Sequence, residues 1–104
     1  VIDLAPGVEA MRPFAGRAYD ITVCLATYHK LKRIMDPDAL AALVQYWGRH
    51  TKGYFGWRGT SHQHAENDAE IANLDRDLGA VGFVRIHTSY ISTELGVAAI
   101  WGRG

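Results

Sequence analysis

The sequence predicts a small α/β domain with a mixed β-sheet packed by two helices, and α+β is the alternative class. Strand-like and helix-like segments alternate in the order β-α-β-α-β-β, which favours crossover connections between parallel strands. The chain has 104 residues, 48% apolar and 21% charged, a length and composition typical of one folded domain. We therefore expect a single domain over residues 1–104, with residues 1–18 forming an irregular N-terminal segment.

The first strand is predicted over residues 19–28, after a segment in which two prolines and two glycines favour turns around one helical turn. Ile21, Val23 and Leu25 would share one face of this strand, and the smaller Cys24 lies on the other. Apolar residues on both faces indicate a strand covered on both sides, with a helix close to the smaller face. The basic residues 29–33 that follow are expected to be exposed.

The first helix is predicted over residues 37–47. Asp36 can cap the free backbone N–H groups, and Pro37 suits the first helical position. An apolar stripe then follows at helical spacing and consists of Leu40, Leu43, Val44 and Trp47. Gly48 is predicted to end the helix.

The remaining elements are a strand at 53–58, a second helix and a C-terminal hairpin. Asn67 and Glu70 resemble a capping box and predict a helix from residue 67 to Gly79, although a start at Ser61 is an alternative. Its apolar stripe consists of Ile71, Leu74 and Leu78. Strands at 82–91 and 96–101 are separated by a short turn and are predicted to pair in an antiparallel hairpin.

Charge and cysteine content exclude several classes of protein. Eleven basic and eleven acidic residues give zero net charge, which argues against a protein that coats nucleic acid. The charges are nevertheless uneven, with +3 over residues 1–60 and −3 over 61–104. A single cysteine excludes an internal disulfide and favours a cytoplasmic location. No phosphate-binding glycine loop and no apolar run of roughly 18 residues occur, so we expect no nucleotide cofactor and no membrane contact.

One polar segment could carry chemistry. His62, His64 and Glu66 alternate, so an extended segment would present two imidazoles and a carboxylate on one side, as a metal site or an acid–base site requires. If the segment is helical, His62 and Glu66 instead form an ordinary i, i+4 surface pair, and we expect no metal. His50, at the predicted helix end, is a further acid–base candidate, although the helix dipole alone accounts for it.

Basic and aromatic residues next to this segment suggest a ligand. Arg58 could steer an anion and Tyr54 is a second ligand-binding candidate, since aromatic rings among basic residues can stack on bases. The 58–67 loop is therefore the candidate site of a small enzyme or of a metal- or anion-binding protein. A nucleic-acid-binding or inhibitor module, with phosphate contacts from residues 29–33, is a further alternative.

The leading hypothesis is a non-enzymatic interaction domain that self-associates as a homodimer. Eleven aromatic residues are more than one small sheet with two helices is expected to cover, and exposed apolar patches mark interfaces. Tyr46 and Trp101 are the predicted interface residues. A small molecule or a second protein is the alternative partner.

Overall fold

The computed structural model of this chain describes residues 7–14, 16–25, 27–59, 63–92 and 96–104. A 3₁₀ helix is followed by four strands and three α-helices, with the bounds Gly7–Phe14 (3₁₀), β1 Tyr19–Leu25, α1 Tyr28–Ile34, α2 Pro37–Arg49, β2 Thr51–Gly59, α3 His64–Gly79, β3 Phe83–Ser92 and β4 Gly96–Arg103. The predicted α/β class is confirmed. Among the described residues, no helix is both long enough and apolar enough to cross a membrane.

The four strands form one mixed sheet in the order β1-β2-β4-β3. β1 and β2 run parallel, whereas β4 is antiparallel to both of its neighbours, so β3 and β4 make the predicted hairpin. Across the sheet, Val23 aligns with Gly56 and Gly56 with Ile100. The next row joins Cys24, Trp57 and Ala99. Because side chains alternate along a strand, these two rows lie on opposite faces.

The hydrophobic core lies between one sheet face and the helices α2 and α3. Strand residues on this face are buried, including Cys24, Phe55, Trp57, Phe83, Val97, Ala99 and Trp101. Helix residues that pack on them include Leu40, Leu43, Val44, Ile71, Leu74 and Leu78. The apolar stripes that predict these two helices are therefore the stripes that face the sheet.

The opposite face, which we call the open sheet face, is apolar and exposed. It is formed by Ile21, Val23, Leu25, Tyr54, Val84, Ile86 and Ile100, whose exposed fractions run from 39% to 61%. β1 is thus covered on the side of Cys24 and not on the side of Val23, and the expectation of cover on both sides fails within the described residues.

Helix α1 is absent from the prediction, which extended the first strand to residue 28. Tyr28, Leu31 and Met35 are buried at spacings of three and four residues, so they form a helical stripe facing inward. The intervening lysines and arginine make the segment resemble an exposed basic loop. The prediction that residues 29–33 are exposed is therefore wrong for Leu31, whereas Lys30, Lys32 and Arg33 are exposed as predicted.

Helix α2 begins as predicted but ends later. The Asp36 carboxylate accepts a hydrogen bond from the backbone N–H of Asp38 at 3.1 Å. The helix then continues through Gly48 to Arg49, so Gly48 is not its end. A Cβ at Gly48 would lie 2.6 Å from a methyl carbon of Val81, which means that glycine allows α2 to approach the α3–β3 connection.

Candidate functional site

A polar cluster lies at the carboxyl ends of the parallel strands β1 and β2. Two residues separate the end of β1 from the start of α1, and four residues separate the end of β2 from the start of α3. In open α/β sheets this edge is where ligands bind, because the connections there diverge and leave a crevice. The cluster is centred on Glu70 of α3, which is only 1% exposed.

Two hydrogen-bond donors and a nearby imidazole, from two other elements, surround the Glu70 carboxylate. Lys32 Nζ on α1 donates a hydrogen bond to Oε2 at 3.1 Å, and the Trp57 indole on β2 donates to Oε1 at 3.3 Å. His29 Nδ1, also on α1, lies 3.7 Å from Oε2. The Lys32 and His29 side chains are 35% and 32% exposed, so a buried carboxylate holds an ammonium and an imidazole at the protein surface.

Burial controls the two ionisable groups nearest this cluster. Burial raises the pKa of the Cys24 thiol to about 11, and the Glu70 charge acts in the same direction. Burial likewise raises the pKa of Tyr28 to about 12, against the opposing effect of a hydrogen bond with Asn73. Both groups are therefore neutral at physiological pH, and Cys24 is not a nucleophile there because the thiolate is the reactive form.

A cavity of about 230 Å³ adjoins the cluster on the side of the helices. Lys32 is shared between the two, since it contacts Glu70 and also lines this cavity. The other lining residues come from α1, α2 and α3 and are Tyr28, Met35, Pro37, Leu40, Asn73 and Arg76.

The predicted metal or acid–base segment lies largely outside the described residues. His62 is outside them, and His64 begins α3 with a side chain that is likewise outside them. Glu66 is exposed in the first turn of α3. Within the described part of the chain, no group of three or more His, Cys, Asp or Glu side chains could hold a metal ion. Because α3 begins at His64, His64 and Glu66 are helical and do not form the extended segment that the prediction requires. A metal or acid–base role for these residues remains a prediction.

His50 and Tyr46 lie against each other at the end of α2. The His50 ring stacks on Tyr46 with centroids 4.2 Å apart, and its Nδ1 lies 2.8 Å from the Tyr46 carbonyl oxygen. His50 is the C-terminal cap of α2, as the helix-dipole interpretation requires. Tyr46, predicted as an interface residue, is half-buried.

Trp101 is a core residue, which corrects its prediction as a surface aromatic. It is fully buried and packs edge-on against Phe55, with ring centroids 6.4 Å apart. Its indole N–H donates to Asp75 at 2.8 Å, so its polar atom is satisfied inside the fold. The predicted ligand residues Tyr54 and Arg58 lie on the opposite side of the sheet from Trp101, exposed and half-buried respectively.

Sequence reasoning missed the role of Glu70, which it assigned to a capping box. The structure instead begins α3 at His64 and turns Glu70 inward. A signal was present in the sequence, because Glu70 lies four residues before Leu74 and therefore next to it on the helical face that carries the apolar stripe. A carboxylate on an apolar stripe indicates a buried, partnered charge.

The fold resembles that of a methyltransferase. No protein-family model matches this sequence, and no curated protein matches it. Among solved structures, the chain is similar to the magnesium protoporphyrin IX methyltransferase from Synechocystis PCC 6803 with bound SAH, at 16% identity and a TM-score of 0.58. The match covers 93% of this chain and 57% of the methyltransferase, so this chain spans little more than half of that protein. This likeness shows a methyltransferase-like α/β fold.

Proposed function

We propose that this chain is part of an S-adenosylmethionine-dependent methyltransferase and contributes one wall of its ligand crevice. The observation that carries the proposal is the sheet order β1-β2-β4-β3, with β4 antiparallel between β2 and β3, in a chain that aligns over 93% of its length with a methyltransferase. That methyltransferase was solved with SAH, the product that remains when S-adenosylmethionine has given up its methyl group.

The polar cluster supports a ligand site at the carboxyl edge of this sheet. Glu70 fixes the side of α1 that carries His29 and Lys32, because all three side chains meet within 3.7 Å. The ammonium of Lys32 can bind an anionic group, and the imidazole of His29 can donate or accept a proton. Holding such groups in one geometry is the positioning that a catalytic or binding site requires.

The described residues supply one side of the crevice and do not enclose an adenosyl ligand. In a doubly wound sheet the crevice lies where the strand order reverses, and β1 is the terminal strand of the described sheet. A ligand beside β1 would therefore need residues from the far side of this strand. When bound, S-adenosylmethionine would supply the methyl group. The role of this chain would be to orient the ligands through His29 and Lys32.

Titration with SAH tests the proposal. We expect the protein expressed from its complete gene to bind SAH saturably in calorimetry, with ATP as the comparison ligand. His29→Ala should weaken SAH binding, whereas Lys30→Ala, an exposed neighbour on the same helix, should leave it unchanged. A folded protein that does not bind SAH, or that loses binding equally in both variants, would contradict the proposed site.

A second candidate function is a non-enzymatic interaction domain that self-associates. The open sheet face favours it, because seven large apolar side chains are exposed on one surface and such patches mark interfaces. Light scattering at micromolar concentration should then give twice the chain mass of 11.5 kDa, and Val23→Lys should abolish the dimer. A single-chain mass would exclude this candidate.

A further inference from the structure

We propose that the cavity of about 230 Å³ between α1, α2 and α3 is a binding site for a small organic carboxylate. We call this space the helix cavity. The carboxylate group of the ligand contacts Lys32 and Arg76, and its hydrocarbon body packs on apolar residues from α2 and the end of α1. The inference goes beyond the proposed function, because it assigns a second site beside the polar cluster of Glu70. It follows from the charges, the apolar lining and the size of this cavity.

Each cation of the helix cavity is held by a buried carboxylate of α3. Lys32 Nζ lies 3.1 Å from Glu70 Oε2, and Arg76 Nε lies 2.9 Å from Asp77 Oδ1. The two carboxylate side chains are 2% and 3% exposed, whereas the two cations are 35% and 65% exposed. Within the described part of the chain, the lining includes both cations and neither carboxylate. The buried charges therefore fix two positive groups at the cavity wall, and such preorganisation favours the binding of an anion.

Both cations retain hydrogen-bond donors for a ligand. Arg76 donates to Asp77 through Nε and Nη2, which uses two of the five N–H donors of a guanidinium. Lys32 donates to Glu70 through one of the three N–H donors of its ammonium. Asn73 lies between the two carboxylates on α3 and adds an amide to the same lining. Because hydrogen bonds from charged donors are stronger than neutral ones, these groups favour a carboxylate over a neutral polar group.

The rest of the lining is largely apolar and indicates what the body of the ligand is. Met35 and Leu40 are buried, and Pro37 stands at the beginning of α2. All three line the helix cavity, together with Tyr28. A hydrocarbon body would remove this apolar surface from water, which is favourable. The cavity is smaller than the roughly 300–1,000 Å³ of pockets that hold drug-sized ligands, so the ligand is a short acid.

Other classes of ligand fit the helix cavity less well. A metal ion requires carboxylate, imidazole or thiolate ligands, and the lining contains none of these among the described residues. A wholly apolar molecule would take water from Lys32 and Arg76 without replacing its hydrogen bonds, which costs free energy. An inorganic anion would leave the apolar lining uncovered. A carboxylate with a hydrocarbon chain satisfies both parts of the cavity.

Titration with hexanoate, followed by NMR, tests this inference in the protein expressed from its complete gene. Hexanamide is the matched probe, since it has the same hydrocarbon chain and no charge. Inorganic phosphate has the charge and no chain. We expect hexanoate to bind saturably and at least about ten-fold more tightly than either comparison probe. The chemical shifts of the Asn73 side-chain amide should follow the same binding curve.

Variants of Arg76 locate the site. Arg76→Gln should weaken hexanoate binding by about ten-fold, and Arg76→Lys should restore most of the affinity because it keeps the positive charge. Arg33→Gln is the matched control, since Arg33 is exposed on α1 and does not line the helix cavity. Urea unfolding establishes that each variant is folded before it is titrated. The comparison of hexanoate with hexanamide depends on no variant.

The outcomes that would overturn the inference are distinct. Equal affinity for hexanoate and hexanamide would overturn it, as would an equal loss of affinity in Arg76→Gln and Arg33→Gln. Phosphate binding as tight as that of hexanoate would show that the apolar lining contributes nothing, and would overturn the assignment of an organic acid.

SAH titration of the same samples separates this inference from the proposed function. Competition between hexanoate and SAH would place hexanoate in the crevice of the proposed function, and would overturn the second site. Hexanoate binding by a protein that does not bind SAH would contradict the proposed function and leave the helix cavity standing as a carboxylate site.

Discussion

The carboxylate of Glu70 accepts a hydrogen bond from Lys32 Nζ at 3.1 Å across 38 positions of the sequence. This contact joins the helix that follows β1 to the helix that follows β2, at the edge where the two parallel strands end. Because Glu70 is buried and Lys32 is partly exposed, the pair anchors a surface cation on an internal charge. Removal of the cation leaves the internal charge with fewer partners.

Lys32→Met should therefore destabilise the protein by about 2–3 kcal/mol. Breaking a buried pair costs about 3–5 kcal/mol, and partial exposure of Lys32 reduces that cost through solvent screening. Glu70→Gln should cost less, because an amide oxygen can still accept hydrogen bonds from Lys32 and Trp57. Urea unfolding measures these effects, with Lys30→Met as the exposed control on α1. A loss no larger than that of Lys30→Met would contradict the importance of the pair.

Gly48→Ala should destabilise the protein, although alanine is the better helix former by about 1 kcal/mol. The added Cβ would lie 2.6 Å from Val81 Cγ2 and 3.3 Å from Leu78 Cδ2. Overpacking of this kind costs about 1–3 kcal/mol. Gly79→Ala is the matched control, because no atom lies within 4 Å of a Cβ built there. Chemical denaturation should give a lower free energy of unfolding for Gly48→Ala than for the wild type. A higher free energy of unfolding would show that α2 can move away from Val81 without cost.

The strands and the two long helices could be predicted because their signals are local. The stripe from Leu40 to Val44 and the cap at Asp36 specify α2 without reference to the rest of the chain. Helix α1 escaped prediction because its inward positions, among them Leu31, are interleaved with basic residues. Its helical stripe becomes evident only when the core that receives it is known.

Packing between distant elements could not be read from the sequence. Alternation places Cys24 on one face of β1 and Val23 on the other, but it does not show that the Cys24 side is covered and the Val23 side open. The number of aromatic residues places Trp101 at the surface, because it exceeds what one small sheet with two helices is expected to cover. Its burial depends on Phe55 and Asp75, which lie 46 and 26 positions away. The surface that favours the second candidate function is accordingly the open sheet face, which lies on the opposite side of the sheet from Trp101.

Arg103→Met should destabilise the protein by about 2–3 kcal/mol. The Arg103 guanidinium donates to the carbonyl oxygens of Gly48, Thr51 and Val81, and it lies 4.4 Å from the ring centroid of Phe83. Hydrogen bonds from a charged group contribute about 1.5–3 kcal/mol, and methionine retains the aliphatic stem without these donors.

Arg85→Met is the control for Arg103→Met. Arg85 lies on the neighbouring strand and contacts Asp75 at 3.4 Å with both side chains partly exposed, an interaction that contributes less than about 1 kcal/mol. Thermal and urea unfolding should separate the two variants. Equal losses would show that the three carbonyl contacts of Arg103 add nothing beyond an ordinary surface charge.

Stability should fall as the pH rises from about 9 to about 11, and Cys24 should contribute to this fall. Burial raises the pKa of its thiol from 9.0 to about 11 in the folded protein. The unfolded chain therefore loses the proton first, which favours unfolding as the pH increases. Because one pKa unit corresponds to about 1.4 kcal/mol, the shift of about two units gives a loss that reaches about 3 kcal/mol only above pH 11.

Two variants assign that loss to its source. Cys24→Ala should remove the part between pH 9 and 11, measured as the change in the free energy of unfolding in urea within each variant. Tyr28→Phe should retain the loss between pH 9 and 10 and remove a loss between pH 10 and 12, because burial raises the pKa of Tyr28 from 10.0 to about 12. If the free energy of unfolding of Cys24→Ala falls with alkaline pH as steeply as that of the wild type, the thiol of the wild-type protein must be accessible to water in the folded state. The wild-type Cys24 would then react with maleimide as rapidly as an exposed cysteine.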